Sequence, residues 1–163
     1  MQLLLQFYPA IITTFSLFCY KNDNAWMRTF CHRMVFSFNF RKLFVLSLLF
    51  MLLTFNFSYM NVYGLTTGFY GSTAVCMCLF FFNQTEKFFF EIQDRPILGV
   101  ILLVTLLFAC FANTWAIAMN LYVVIVGSIF YPSKHLFKKI GNPNVFSRIV
   151  SNPEAVTLDY YAH

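Results

Sequence analysis

Charged side chains are scarce in this sequence. Only 10% of its residues are Asp, Glu, Lys or Arg, whereas 60% are hydrophobic and Phe alone accounts for 23 of the 163 residues. Soluble domains carry roughly 25% charged residues, and a small one has too little interior to bury so many apolar side chains. Disordered chains combine low hydrophobicity with high charge. The composition therefore excludes both classes and predicts an integral membrane protein.

The sequence also lacks the patterns on which catalysis, metal binding and ion transport depend. Zinc motifs such as HExxH or paired CxxC and the glycine-rich phosphate-binding motifs are absent. The runs 43–85 and 96–133 contain no Asp, Glu, Lys or Arg, although pumps and intramembrane enzymes use buried ionisable groups. These absences predict a protein that is not an enzyme and that holds no metal or cofactor.

The two uncharged runs are the main feature that is present. Each is about twice as long as the ~20 apolar residues that cross a bilayer once. Each is interrupted near its middle by turn-forming residues, Gly64 and Gly68 in the first and Asn113-Thr114 in the second. Each run therefore predicts a helical hairpin, which gives an all-α protein with four helices in two transmembrane hairpins. The arms are short, which suits either a thin bilayer or hairpins that enter the membrane without crossing it.

The basic residues predict the orientation. All 11 Lys and Arg lie outside the two runs, so the positive-inside rule places their segments in the cytosol, or in the matrix if the membrane is mitochondrial. Topology thus accounts for the net charge of +5 without a nucleic-acid partner. The predicted segments are an apolar helix at 1–20, a basic juxtamembrane segment at 21–42, a first hairpin at 43–82, a charged loop at 83–95, a second hairpin at 96–132 and a basic tail at 133–163.

Residues 1–20 allow two interpretations. The segment is apolar enough for a fifth span with its N-terminus outside, but it contains Gln2, Gln6 and Pro9, which favour a helix lying in the membrane interface. Both alternatives remain open from the sequence.

Small residues recur at steps of three and four in the first hairpin. Gly64, Gly68, Gly71 and Ala74 are predicted to share one helix face, where small side chains let backbones approach closely. The partner of that face is either the rest of the hairpin or a second chain in a homo- or hetero-oligomer. The alternative interpretation of these residues is a hairpin turn that is rich in glycine.

Three short motifs carry a resemblance to a known family. The stretch 33–41 is basic and contains the pair Asn39-Phe40, Asp94-Arg95 precedes the second hairpin, and His135 follows it within 132–137. With the two-hairpin layout, these motifs resemble the prenylated Rab acceptor family. The resemblance implies a membrane adaptor of the endoplasmic reticulum or Golgi that binds prenylated small GTPases in vesicle transport. The partner-binding residues it implies are Asn39, Arg41, Asp94, Arg95 and His135.

A structural role is the competing hypothesis. A small, Phe-rich membrane chain also fits a non-catalytic accessory subunit of a large complex, for example in the mitochondrial inner membrane. Short hairpins inserted into one leaflet also fit a protein that shapes membranes.

Overall fold

The regular structure of the protein is helical. A computed structural model describes residues 2–20, 24–112, 114–140 and 160, and within them every regular element is an α-helix, which confirms the predicted all-α class. Several predicted features lie outside the described residues, namely residues 21–23 of the basic segment, Asn113 of the second turn and most of the tail. The helices are α1 (Gln2–Cys19), α2 (Ala25–Phe36), α3 (Phe38–Tyr63), α4 (Thr67–Phe80), α5 (Phe82–Asp94), α6 (Pro96–Phe111), α7 (Trp115–Phe130) and α8 (Lys134–Ile140).

Among the described residues, two helical segments are long and apolar enough to cross a membrane. One is α3, and the other is Trp115–Ile140, which is α7 continued through a short break into α8. A third is counted if α5 and α6, which meet at a bend of 101°, form one broken span. At 14 residues, α4 is only ~21 Å long, shorter than a ~30 Å hydrocarbon core. The helices are thus compatible with a membrane protein that has two or three spans.

The helix boundaries follow local chemistry. The hydroxyl of Ser37 accepts a hydrogen bond from the amide of Phe40 at 3.3 Å and caps the start of α3. Gly64, at φ +75°, ends α3 in a backbone conformation that favours glycine. Thr66 caps α4 through a bond from the amide of Phe69. Pro96 begins α6 at a position where its missing N–H is not needed.

The long helix α3 has two apolar faces. One face is buried against the other helices, while the other projects large apolar side chains outward at steps of three and four residues. The outward residues are Leu43, Leu46, Phe50, Leu53 and Phe57. Helix α6 exposes a larger share of its apolar side chains than α3 does, because Ala109 is its one buried residue and Phe111 is 88% exposed. Exposed apolar surface on this scale fits a lipid surrounding.

The helices α3, α4 and α7 form the centre of the protein and pack against one another. Their buried side chains include Leu52, Phe55, Leu79, Met119 and Val123. Helix α2 packs on α3 and buries Cys31 completely. Burial raises the pKa of the Cys31 thiol to about 12, so this cysteine stays protonated and packs as a small apolar residue.

Helix α1 runs alongside α3 and α7. Near its middle, Pro9 lines one cavity with Tyr63 and Trp115, which lie next to the turns between α3 and α4 and between α6 and α7. At its C-terminal end, Cys19 shares a cavity with Met27 of α2. The described apolar part of this helix, Pro9–Cys19, is shorter than the two candidate spans, so both interpretations of residues 1–20 stay open.

Residues 83–95, predicted as a charged loop, are mostly helical. Thr85, Phe89 and Ile92 are buried in α5, while Lys87 and Glu91 on the same helix are exposed. The buried residues recur at steps of four and three, which is the spacing of one helix face. Helix α5 is therefore an amphipathic helix, and it turns sharply into α6.

The four small residues of the first hairpin do not share one helix face, because Gly64 lies in the turn before α4. A Cβ atom at Gly68 would lie 3.3 Å from Cβ of Ala116 in α7, whereas a Cβ at Gly71 would meet no atom within 4 Å. Ala74 is exposed. A further close approach that the sequence did not suggest occurs at Gly127, where a Cβ would lie 2.8 Å from Cδ1 of Leu48.

The contact at Gly68 predicts the effect of a large side chain there. Gly68→Leu is expected to push α4 from α7 and to destabilise the protein by about 1–3 kcal/mol, as overpacking does. The control is Gly99→Leu in α6, where an added Cβ meets no atom within 4 Å. Thermal unfolding in detergent measures both variants. Equal melting temperatures for Gly68→Leu and the unmutated chain would show that α4 and α7 do not depend on this approach.

Candidate functional site

A polar cluster joins α3, α5 and the residue that follows α7. It lies at the end of the helices where the charged residues are found, which we call the charged end. We call Arg41, Glu86 and Tyr131 the Arg41 cluster. Nε of Arg41 lies 3.6 Å from Oε1 of Glu86, and the hydroxyl of Tyr131 donates a hydrogen bond of 2.7 Å to the same oxygen. Nη1 of Arg41 donates to the carbonyls of Met34 and Val35 at 3.1 and 3.0 Å. Arg41 therefore ties the last turn of α2 to α5 and α7.

An aromatic ring and the side-chain amide of Gln93 also hold this region together. The Arg41 guanidinium lies 4.9 Å from the ring centroid of Phe137 in α8, within the range of a cation–π contact. Nε2 of Gln93 donates to the carbonyls of Ser128 and Tyr131 at 2.6 and 2.7 Å. These carbonyls at the end of α7 would otherwise lack helical partners, so Gln93 fixes α5 onto the end of α7.

The five partner-binding residues predicted from the resemblance fall into different environments. Asn39, Arg95 and His135 are exposed, and Asp94 is exposed while its Oδ2 lies 3.7 Å from Nζ of Lys134. Arg41 is mostly buried in the Arg41 cluster. The Asp94–Lys134 pair brings Asp94, Arg95 and His135 to one end of α5, whereas Asn39 lies near the other end, where Phe38 contacts Phe82.

An apolar cavity lies beside this charged end. We call it the lateral cavity; it lies among α4, α5, α6 and α7 and has a volume of about 750 Å³. That volume is within the ~300–1,000 Å³ range of small-molecule sites. Its apolar walls include Val75, Leu102, Ile117, Leu121 and Val124.

The two ends of the lateral cavity are polar. Gln84, Lys87 and Glu91 of α5 line the end nearest the charged segments. Ser72 and Asn120 line it further toward the turns. Each lies in the second turn of its helix, about 8 Å from the helix start. The cavity can therefore take an elongated apolar molecule with a polar group.

Ser72 and Asn120 belong to a buried polar chain, which we define as Asn120, Ser72, Asn56 and Cys76. Nδ2 of Asn120 donates to Oγ of Ser72, Oγ of Ser72 donates to Oδ1 of Asn56, and Nδ2 of Asn56 lies 3.4 Å from Sγ of Cys76. The chain links α7, α4 and α3 inside the apolar bundle. Each of its four members is less than 5% exposed.

The site offers binding chemistry. Among the described residues, no group of three or more His, Cys, Asp or Glu side chains is arranged to hold a metal ion.

Sequence reasoning singled out Arg41 but missed Glu86 and Tyr131 as its partners. It also missed Asn56 and Asn120. The sequence did contain a signal for them, since each is an amide in an otherwise apolar helix.

Searches of protein-family models, curated proteins and solved structures found no match to the chain.

Proposed function

We propose that the chain is a membrane adaptor that receives prenylated small GTPases at membranes of the endoplasmic reticulum or Golgi. One observation carries this proposal: the lateral cavity has apolar walls and lies directly beside the charged residues of α5. A prenyl chain is apolar and is attached to a water-soluble protein, so it needs an apolar site next to a polar surface. Burial stabilises it by about 0.8 kcal/mol per CH₂ group.

The proposal includes a membrane layout. The hairpins are α3–α4 and α6–α7, the charged ends face the cytosol, and α1 forms an additional span. Two ion pairs support it, because Arg41–Glu86 and Asp94–Lys134 bring the three charged segments to one end. In this layout α5 lies at the cytosolic surface, in the position to meet an arriving GTPase.

The polar contacts of the adaptor are assigned to exposed residues near the end of α5. Asp94, Arg95 and His135 are available for a protein surface, together with Lys87 and Glu91 at the cavity itself. Arg41 is assigned a supporting role, since its guanidinium is already engaged by α2, α5 and α8.

A bulky side chain in the lateral cavity tests the proposal. Leu102→Trp is expected to reduce capture of a prenylated GTPase about tenfold, because excluding two CH₂ groups at ~0.8 kcal/mol each has that effect. The assay presents the GTPase on its soluble carrier to liposomes containing the full chain and measures the GTPase that floats with them. The matched control is Ile101→Trp, since Ile101 is the neighbouring residue, is 54% exposed and does not line the cavity.

Three results would contradict the adaptor role. They are no capture by the unmutated chain, equal capture of prenylated and unprenylated GTPase, and equal loss in both tryptophan variants. The first result, combined with co-purification in a stoichiometric large complex, would favour the accessory-subunit hypothesis.

A further inference from the structure

The buried polar chain lacks a donor at its first member. Its hydrogen bonds run in one direction, from Asn120 through Ser72 and Asn56 to Cys76. Nδ2 of Asn120 also donates to the carbonyl of Ala116 at 2.6 Å, so both of its hydrogens are used. Oδ1 of Asn120 has no hydrogen-bond partner among the described residues. A buried acceptor without a donor destabilises the folded protein.

The amide with the missing donor lines the lateral cavity. Asn120 and Ser72 are both 2% exposed or less, and both contribute to the cavity lining. Turning the Asn120 amide over would place its oxygen against the carbonyl oxygen of Ala116, which can only accept, so this carbonyl fixes the orientation of the amide. Asn120 lines the cavity, so a molecule bound there lies beside this residue and can supply the missing donor once the side chains that cover Oδ1 move apart.

We propose that the lateral cavity binds a membrane alcohol, an apolar lipid with one hydroxyl, whose O–H donates to Oδ1 of Asn120. The walls beyond Asn120 are apolar, which matches a hydrocarbon body. Fully esterified lipids and prenyl thioethers have no donor, and an ionised fatty acid is an acceptor. The hydroxyl would lie about 8 Å inside the turn end, near the surface of that leaflet, with the hydrocarbon directed toward α5. Sterols and diacylglycerols both have this chemistry.

The inference goes beyond the adaptor role, since it concerns the cavity in the absence of any GTPase. The test uses the purified full chain in phosphatidylcholine nanodiscs and a photoreactive cholesterol derivative as the probe. Cholesterol or dioleoylglycerol is expected to compete for labelling at least about tenfold better than its own methyl ether, because a hydrogen-bonding site rejects analogues that lack the donor. The alcohol that competes shows whether the cavity binds a sterol or a diacylglycerol.

Two variants locate the site. Asn120→Leu is expected to abolish the preference for alcohol over ether, so that the ratio of competing concentrations falls from about ten to about one. Because that change also removes a bond to Ser72, Leu102→Trp serves as a second variant that leaves the polar chain intact. It is expected to lose most labelling, while Ile101→Trp keeps it.

Equal competition by alcohol and ether would overturn the inference and assign the donor to water. So would the absence of saturable labelling by either alcohol, or an unchanged preference in folded Asn120→Leu. None of these results bears on GTPase capture, and a failure of GTPase capture leaves the lipid-binding result standing.

Discussion

Replacing Arg41 with methionine is expected to lower the melting temperature of the protein by about 5–10 °C. The side chains of Arg41 and Glu86 are 13% and 21% exposed, and Arg41 also donates to two carbonyls at the end of α2. Removing one partner of a largely buried ion pair leaves the other charge uncompensated. With the lost bonds, this is worth about 2–3 kcal/mol, and 1 kcal/mol shifts the melting temperature of a chain of this size by about 2–4 °C.

Lys42→Met is the matched control, because it removes the same charge at the next residue. Lys42 is exposed, and its Nζ lies 4.6 Å from the ring centroid of Phe38, a contact worth ~0.5–1 kcal/mol at an exposed site. Glu86→Gln completes the comparison, since glutamine keeps an acceptor for Tyr131 but removes the charge. A double-mutant cycle of Arg41→Met and Glu86→Gln then isolates their coupling. A coupling near zero, or equal losses for Arg41→Met and Lys42→Met, would contradict the role of the Arg41 cluster.

Single cysteines placed at the two ends of the bundle are expected to react from opposite sides of the membrane. In sealed microsomes with the cytosolic face outward, cysteines replacing Lys87 and Lys138 should react with an impermeant maleimide in a background without other cysteines. Cysteines replacing Leu65 and Thr114 should react only after the membrane is permeabilised. The ion pairs that join the charged segments support this all-or-none difference.

The labelling pattern also tests whether the hairpins cross. Unreactive cysteines at Leu65 and Thr114, even after permeabilisation, would mean that the hairpins enter the bilayer without reaching the far side. Opposite accessibility of Lys87 and Lys138 would contradict the two-hairpin layout and favour α5 and α6 as one bent span.

Several features could be predicted from the sequence because they depend on local chemistry and solvent preference. The apolar composition predicts helices, since lipid supplies no hydrogen-bond partners for the backbone and a helix satisfies its own. The same argument marks 43–85 and 96–133 as apolar helical regions, and Gly64 lies in the turn between α3 and α4. The charges of 83–95 led to the prediction of a loop, although Thr85, Phe89 and Ile92 have the spacing of one buried helix face.

The sequence by itself determined that the chain is helical and apolar enough for a membrane, because both properties are sums over neighbouring residues. Only the tertiary structure decided which polar groups meet. Arg41 is far from Glu86 in the chain, and Ser72 is far from both Asn120 and Asn56. Their contacts arise from the packing of α3, α4, α5 and α7. The lateral cavity likewise exists only where four helices leave space between them. Such contacts depend on the relative placement of whole helices, which one helix's residue pattern does not specify.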